Sequence, residues 1–149
     1  MFVSLAIIAF SLVLFLYWFR YTCLLILNTR TARDYTVQVA EANQLAFPAI
    51  QAKLAQAQLD GLEDARASLE RDYHLLISLL QHASSFQLGS LTLEQRMLMV
   101  DYQAMRVWFR VSRQLSRGAH ARQALVEMAD IVSHFANAMG ERSSVSARA

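Results

Sequence analysis

The feature that most constrains this chain is its N-terminal stretch. Phe2 to Phe19 contains no charged residue, no glycine and no proline. Its only hydrophilic side chains are Ser4, Ser11 and the phenol of Tyr17. Wound as a helix, this run is about 27 Å long, close to the roughly 30 Å hydrocarbon core of a bilayer. The expectation is a transmembrane helix with the remainder of the chain held at one membrane face. A cleaved signal peptide would need a basic start and small residues before the cleavage point. Here the run ends in Tyr17-Trp-Phe-Arg-Tyr21, and no A-x-A pattern follows.

Tyr17, Trp18, Arg20 and Tyr21 are the expected membrane-interface residues, with amphipathic rings at headgroup depth and an arginine reaching phosphate. Arg20, Arg30 and Arg33 all follow the apolar run. The positive-inside bias then places the N-terminus outside and the following domain in the cytoplasm. Of 14 basic residues all but Lys53 are arginine, a coding bias that suggests a GC-rich bacterial genome and carries no further argument; the expected location is a bacterial inner membrane. Cys23 is the lone cysteine, which excludes an intrachain disulfide.

The 149 residues leave room for one span and one domain of ordinary size. Only 4 Gly and 1 Pro are present, and no segment alternates apolar and polar residues with β-branched side chains as strands do. The predicted fold is all-α: a single N-terminal transmembrane helix, then an antiparallel bundle of three helices, four if the second is broken. The expected domains are an anchor over 1–27, a helical stalk over 28–47, the bundle over 48–140 and a disordered tail over 141–149.

Within the stalk, Thr31-Ala-Arg-Asp34 resembles a capping box, and Tyr35, Val39, Ala42 and Ala46 share a helical face. Pro48 is placed to open the next helix. Ala55, Leu59, Leu62, Ala65, Leu69, Tyr73, Leu76 and Leu80 recur near every 3.6 residues and stay in phase across Gly61. One long helix to about His82 is therefore expected, with a loop over 84–91. Thr92-Leu-Glu-Gln95 is a well-formed capping box for the third helix. Leu93, Met97, Val100, Ala104, Val107, Val111 and Leu115 make its expected core stripe. Met99, Tyr102, Met105, Trp108 and Phe109 form a second apolar face, the expected partner interface. A helix with two apolar faces is either central in its bundle or has a partner. After the turn at Gly118, the last helix presents Ala121, Leu125, Met128, Val132, Phe135 and Met139, and Gly140 is expected to end it.

Chemistry-bearing patterns are sparse. Glu70/His74 and Asp130/His134 stand at i,i+4, and His74, His82 and His134 are the conceivable haem ligands. The Glu-x-x-His spacing of di-iron bundles, H-E-x-x-H and paired cysteines are absent. There is no G-x-S-x-G elbow and no glycine-rich phosphate loop. No catalytic residue, metal or cofactor is assigned. Arg106, Arg110, Arg113 and Arg117 form a basic stripe that could hold anionic lipid. It could equally pair with Asp60, Glu63, Asp64, Glu70 and Asp72. A formal charge of +2 argues against a nucleic-acid partner.

The expectation is thus a non-enzymatic, membrane-tethered interaction module, an accessory subunit or scaffold of a membrane complex, that associates with other subunits or with itself. An anionic-lipid sensor and a metal- or haem-binding bundle are the alternatives.

Overall fold

The computed structural model describes residues 1–29, 34–56, 61–86, 91–115 and 118–147. All regular structure among them is helical: α1 (Phe2–Asn28), α2 (Thr36–Ala42), α3 (Phe47–Ala55), α4 (Leu62–Phe86), α5 (Leu93–Gln114) and α6 (Gly118–Ser146). The chain divides into two compact units, Met1–Arg30 and Thr31–Ala149.

The first unit is α1, a 27-residue helix of about 40 Å. It is long and apolar enough to cross a membrane, and none of its most apolar window is buried. It continues through Arg20 and the second apolar run before Thr29 turns to extended backbone. The Thr29 hydroxyl donates to the Ile26 carbonyl and closes the last turn.

In the second unit, α2, α3, α4 and α5 each pack on α6. The last helix is therefore the centre of the bundle, where the apolar pattern favoured the third. Its composition explains this. Ala121, Ala124, Ala129 and Ala136 are all buried, and these small side chains let neighbouring helices approach α6 closely. Leu125, Met128, Val132 and Phe135 fill the space between, as their spacing predicts.

α6 does not stop at Gly140; it runs on to Ser146 through part of the expected tail. Gly140 is an interior residue at a close approach. A Cβ placed there would lie 2.2 Å from the Tyr35 Cβ and 3.2 Å from a Val39 methyl. That contact seats α2 on α6, and Asn137 Oδ1 accepts from the Tyr35 amide at 2.8 Å. The segment expected as a stalk thus contributes a bundle helix. At its far end, Gln44 adopts a left-handed φ of 53° and the Leu45 amide reaches back to the Ala40 carbonyl, a Schellman closure. Thr31 to Arg33 of the capping-box pattern lie outside the described residues.

The long second helix is broken. α3 ends at Ala55, and α4 starts at Leu62 after Gly61, whose φ of +104° few L-residues tolerate. The expected stripe holds only after the break, where Ala65, Leu69, Tyr73, Leu76 and Leu80 are all buried; before it Ala55 is exposed and α3 buries Ile50 and Leu54 instead. Pro48 sits in the first turn of α3 as expected. The amides of Ala46 and Phe47 both donate to Asp72 Oδ2, at 2.7 and 2.8 Å. A carboxylate on α4 thus caps α3, where acceptors suit the unsatisfied N–H groups. Burial pushes the Asp72 carboxyl above its ordinary value, against the pull of those two amides and of Arg71.

α4 extends to Phe86, beyond the start of the expected loop; Gly89-Ser90 lie outside the described residues. The capping box that opens α5 is complete, with Gln95 N donating to Thr92 Oγ1 and Thr92 N to Gln95 Oε1. Gln95 Oε1 also accepts from Arg142 at 3.1 Å. The start of α5 thus meets the end of α6, so the two form the expected antiparallel hairpin.

Candidate functional site

Helix α5 carries the features that sequence reasoning singled out, but with its faces exchanged. Tyr102 and Phe109 are fully buried and Met105 nearly so. These three belong to the core and are not a partner surface. Tyr73 and Tyr102 stack at 3.9 Å between ring centroids, and Phe135 meets Tyr73 edge-on at 6.0 Å. This aromatic cluster joins α4, α5 and α6. Of the other two expected interface residues, Trp108 is 44% exposed and Met99 is half-buried.

The residues expected to form the α5 core stripe face outward instead. Leu93 is 74% exposed, Val100 58%, Val107 56%, Val111 38% and Leu115 59%. Ala104 is exposed between them and Met97 half-buried. Both faces have apolar residues at helical spacing, so periodicity could not rank them. Side-chain volume could. The aromatic face fills the wide space between α5 and α4, which both rest on α6 but not on each other, whereas the valine and alanine face would leave it underpacked.

The two faces differ in width too. Leu93, Met97, Val100, Ala104, Val107 and Val111 are spaced 4, 3, 4, 3 and 4 apart, the a/d pattern of successive heptads. At 100° per residue they lie within an arc of about 80°, narrower than the apolar face of an ordinary core helix. One edge of this seam carries Arg96, Gln103 and Arg110, all at least partly exposed; the other carries Glu94, Trp108 and Leu115, which are exposed, and Asp101, which is buried in the bundle.

No protein-family model, curated protein or solved structure matches the chain.

The basic stripe resolves into an ion-pair ladder. α4 and α5 do not approach closely along their backbones, and long side chains bridge them. Arg106 Nη1 meets Glu70 Oε1 at 2.7 Å, and Arg66 Nη1 meets Glu70 Oε2 at 2.6 Å. Arg66 Nε reaches Glu63 at 2.9 Å, and Arg113 pairs with the other Glu63 oxygen. Two of the arginines expected to hold lipid are thus engaged by acidic residues of α4. Arg110 remains exposed, and Arg117 lies outside the described residues.

Partial burial alone would raise the Glu70 carboxyl, but hydrogen bonds and charge from Arg106 and Arg66 outweigh it and hold it below its ordinary value. Glu63 is lowered in the same way by Arg66 and Arg113. A carboxyl with a depressed folded-state pKa stabilises the fold above its unfolded value, about 4.3 for glutamate. That contribution is lost as pH falls through the depressed value. Glu70→Gln should therefore flatten the acid side of the stability–pH curve below about pH 4, by about 1 kcal/mol or less for pairs this exposed. Denaturant unfolding across pH 2–7 would check it, and an unchanged acid limb would show that the ladder is energetically idle.

The histidine–carboxylate pairs do not assemble a centre. Glu70 is committed to arginines, and Asp130 Oδ1 accepts from Gln51 Nε2 at 3.0 Å. Among the described residues no three His, Cys, Asp or Glu side chains gather as a metal site would require. On α1, Tyr17, Trp18 and Tyr21 are exposed and Arg20 is half-buried.

Proposed function

We propose that this chain is a non-catalytic docking module held at a membrane, in which α1 is a single span and the outward seam of α5 receives a helix of a partner. The observation that carries the proposal is the regular apolar seam on a helix that already buries its opposite face. A helix with two apolar faces must be central or partnered, and the central place is taken by α6. Scattered exposed apolar residues need no explanation; a continuous heptad-spaced row does. Arg20 beside the aromatic residues of α1, with Arg30 and Arg33 after it, supports a bundle on the cytoplasmic side of a bacterial inner membrane. In this reading the chain is an accessory subunit or scaffold of a membrane complex.

The test combines fractionation with seam variants of the full chain. The protein should stay in the membrane pellet after alkaline carbonate washing and leave it only with detergent. Gentle extraction should then bring down a stoichiometric companion, whether a second copy or another polypeptide. Val100→Asp with Val107→Asp should lose that companion while the far-ultraviolet spectrum stays unchanged. Recovery of the wild type as a clean monomer, or an unaltered companion in the double variant, would count decisively against the proposal.

A further inference from the structure

We infer that the helix received by the α5 seam is α5 of a second copy of this chain, paired parallel and in register. The inference rests on the docking proposal above and adds the identity of the occupant. Its first support is spacing. A narrow a/d row is matched by a helix that carries the same row, and among the described residues of the bundle α5 is the helix that exposes one. In the paired state Leu93, Met97, Val100, Ala104, Val107 and Val111 would each meet their own counterpart across a two-fold axis.

The second support is charge. Arg96 and Arg110 lie on the same edge of the seam. An antiparallel self-pair brings like edges together and sets Arg96 against Arg110 of the other copy. A parallel pair brings unlike edges together, so that Arg96 faces the position of the buried Asp101, Gln103 faces Trp108 and Arg110 faces Leu115 of the second copy, with no two arginines opposed. The edge charges thus disfavour one orientation and tolerate the other.

The third support is area. The exposed parts of Leu93, Val100, Val107, Trp108, Val111 and Leu115 amount to about 600 Å² per copy. Two copies would bury up to about 1,200 Å², the lower bound for a specific stable interface. Tethering both copies in one bilayer through α1 raises their effective concentration and makes an interface of that size sufficient.

The experiment uses the full chain in native membranes. In a Cys23→Ser background, Leu93→Cys and Val107→Cys are oxidised separately, with Gln123→Cys on an exposed position of α6 as control. Disulfide-linked dimers at both seam positions and none at 123 are expected. Because Leu93 lies at one end of the seam, its self-linkage requires the parallel orientation. A dimer at neither seam position would overturn the inference, and a dimer at Val107 alone would overturn the parallel register. A benzophenone side chain at Val107 separates this failure from failure of the docking proposal. An adduct of twice the chain mass supports the second copy. An adduct with a different polypeptide overturns the second copy but keeps docking, whereas lipid adducts alone overturn both.

Discussion

Gly140→Ala is expected to destabilise the bundle by about 1–3 kcal/mol, the usual cost of forcing atoms into a filled site. Helix propensity alone points the other way, since alanine is favoured over glycine by about 1 kcal/mol inside a helix. The close approach wins because the new methyl would stand 2.2 Å from Tyr35 Cβ, a main-chain-anchored atom that no rotamer change can move. α2 would have to slide off α6, with loss of the hydrogen bond between the Tyr35 amide and Asn137. Gly118→Ala is the matched control. Nothing lies within 4 Å of a Cβ at that position, so alanine there should be neutral or mildly stabilising. Thermal unfolding of the detergent-solubilised full chain, followed by near-ultraviolet circular dichroism of the stacked tyrosines, would compare the two. Equal midpoints for the Gly140 and Gly118 variants would mean that α2 does not depend on this contact.

The second large effect separates the two faces of α5. Phe109→Ala removes a fully buried ring and should cost about 3–5 kcal/mol. Val107→Ala, two residues away on the outward face, should change the stability of the detergent-dispersed monomer by no more than about 0.5 kcal/mol. Urea titrations of both variants give the comparison directly. Were Val107→Ala the costlier change, the bundle would face the other way and the docking seam would disappear. Tyr102→Phe offers a finer check. The Tyr102 hydroxyl is buried without a hydrogen-bond partner among the described residues, so its removal should be neutral or stabilising.

Much of the helical framework was legible in the residues. The Thr92–Gln95 box, the Pro48 start and the stripes of α4 and α6 all depend on interactions within one helix or on burial of one unambiguous face. The misreadings share a different physics. Gly140 carries the same residue type whether a helix ends there or a neighbour presses against it, and only the position of Tyr35 decides. Asp72 and Asn137 cap α3 and α2 from 25 and 102 residues away along the sequence, as measured from Phe47 and Tyr35. No local pattern marks such acceptors. On α5 both faces have helical periodicity, and the space between α5 and α4, filled by the stacked tyrosines, chose between them. The same ambiguity that hid the core face is what leaves a spaced apolar row outside.

The position of α6 in the chain has a consequence for synthesis. Every bundle helix before it leaves the ribosome ahead of the surface on which it rests. Until Gly118 to Ser146 has emerged, α2 to α5 lack the helix on which all of them pack, and only the smaller α2–α3 and α3–α4 contacts can form. The contacts of α2, α3 and α4 with α6 are made across long stretches of sequence, the kind that form late and slowly, and only α5 meets it as a neighbour in the chain. The nascent bundle therefore carries its apolar faces unshielded until its last helix arrives, the interval in which such a chain is most open to wrong contacts.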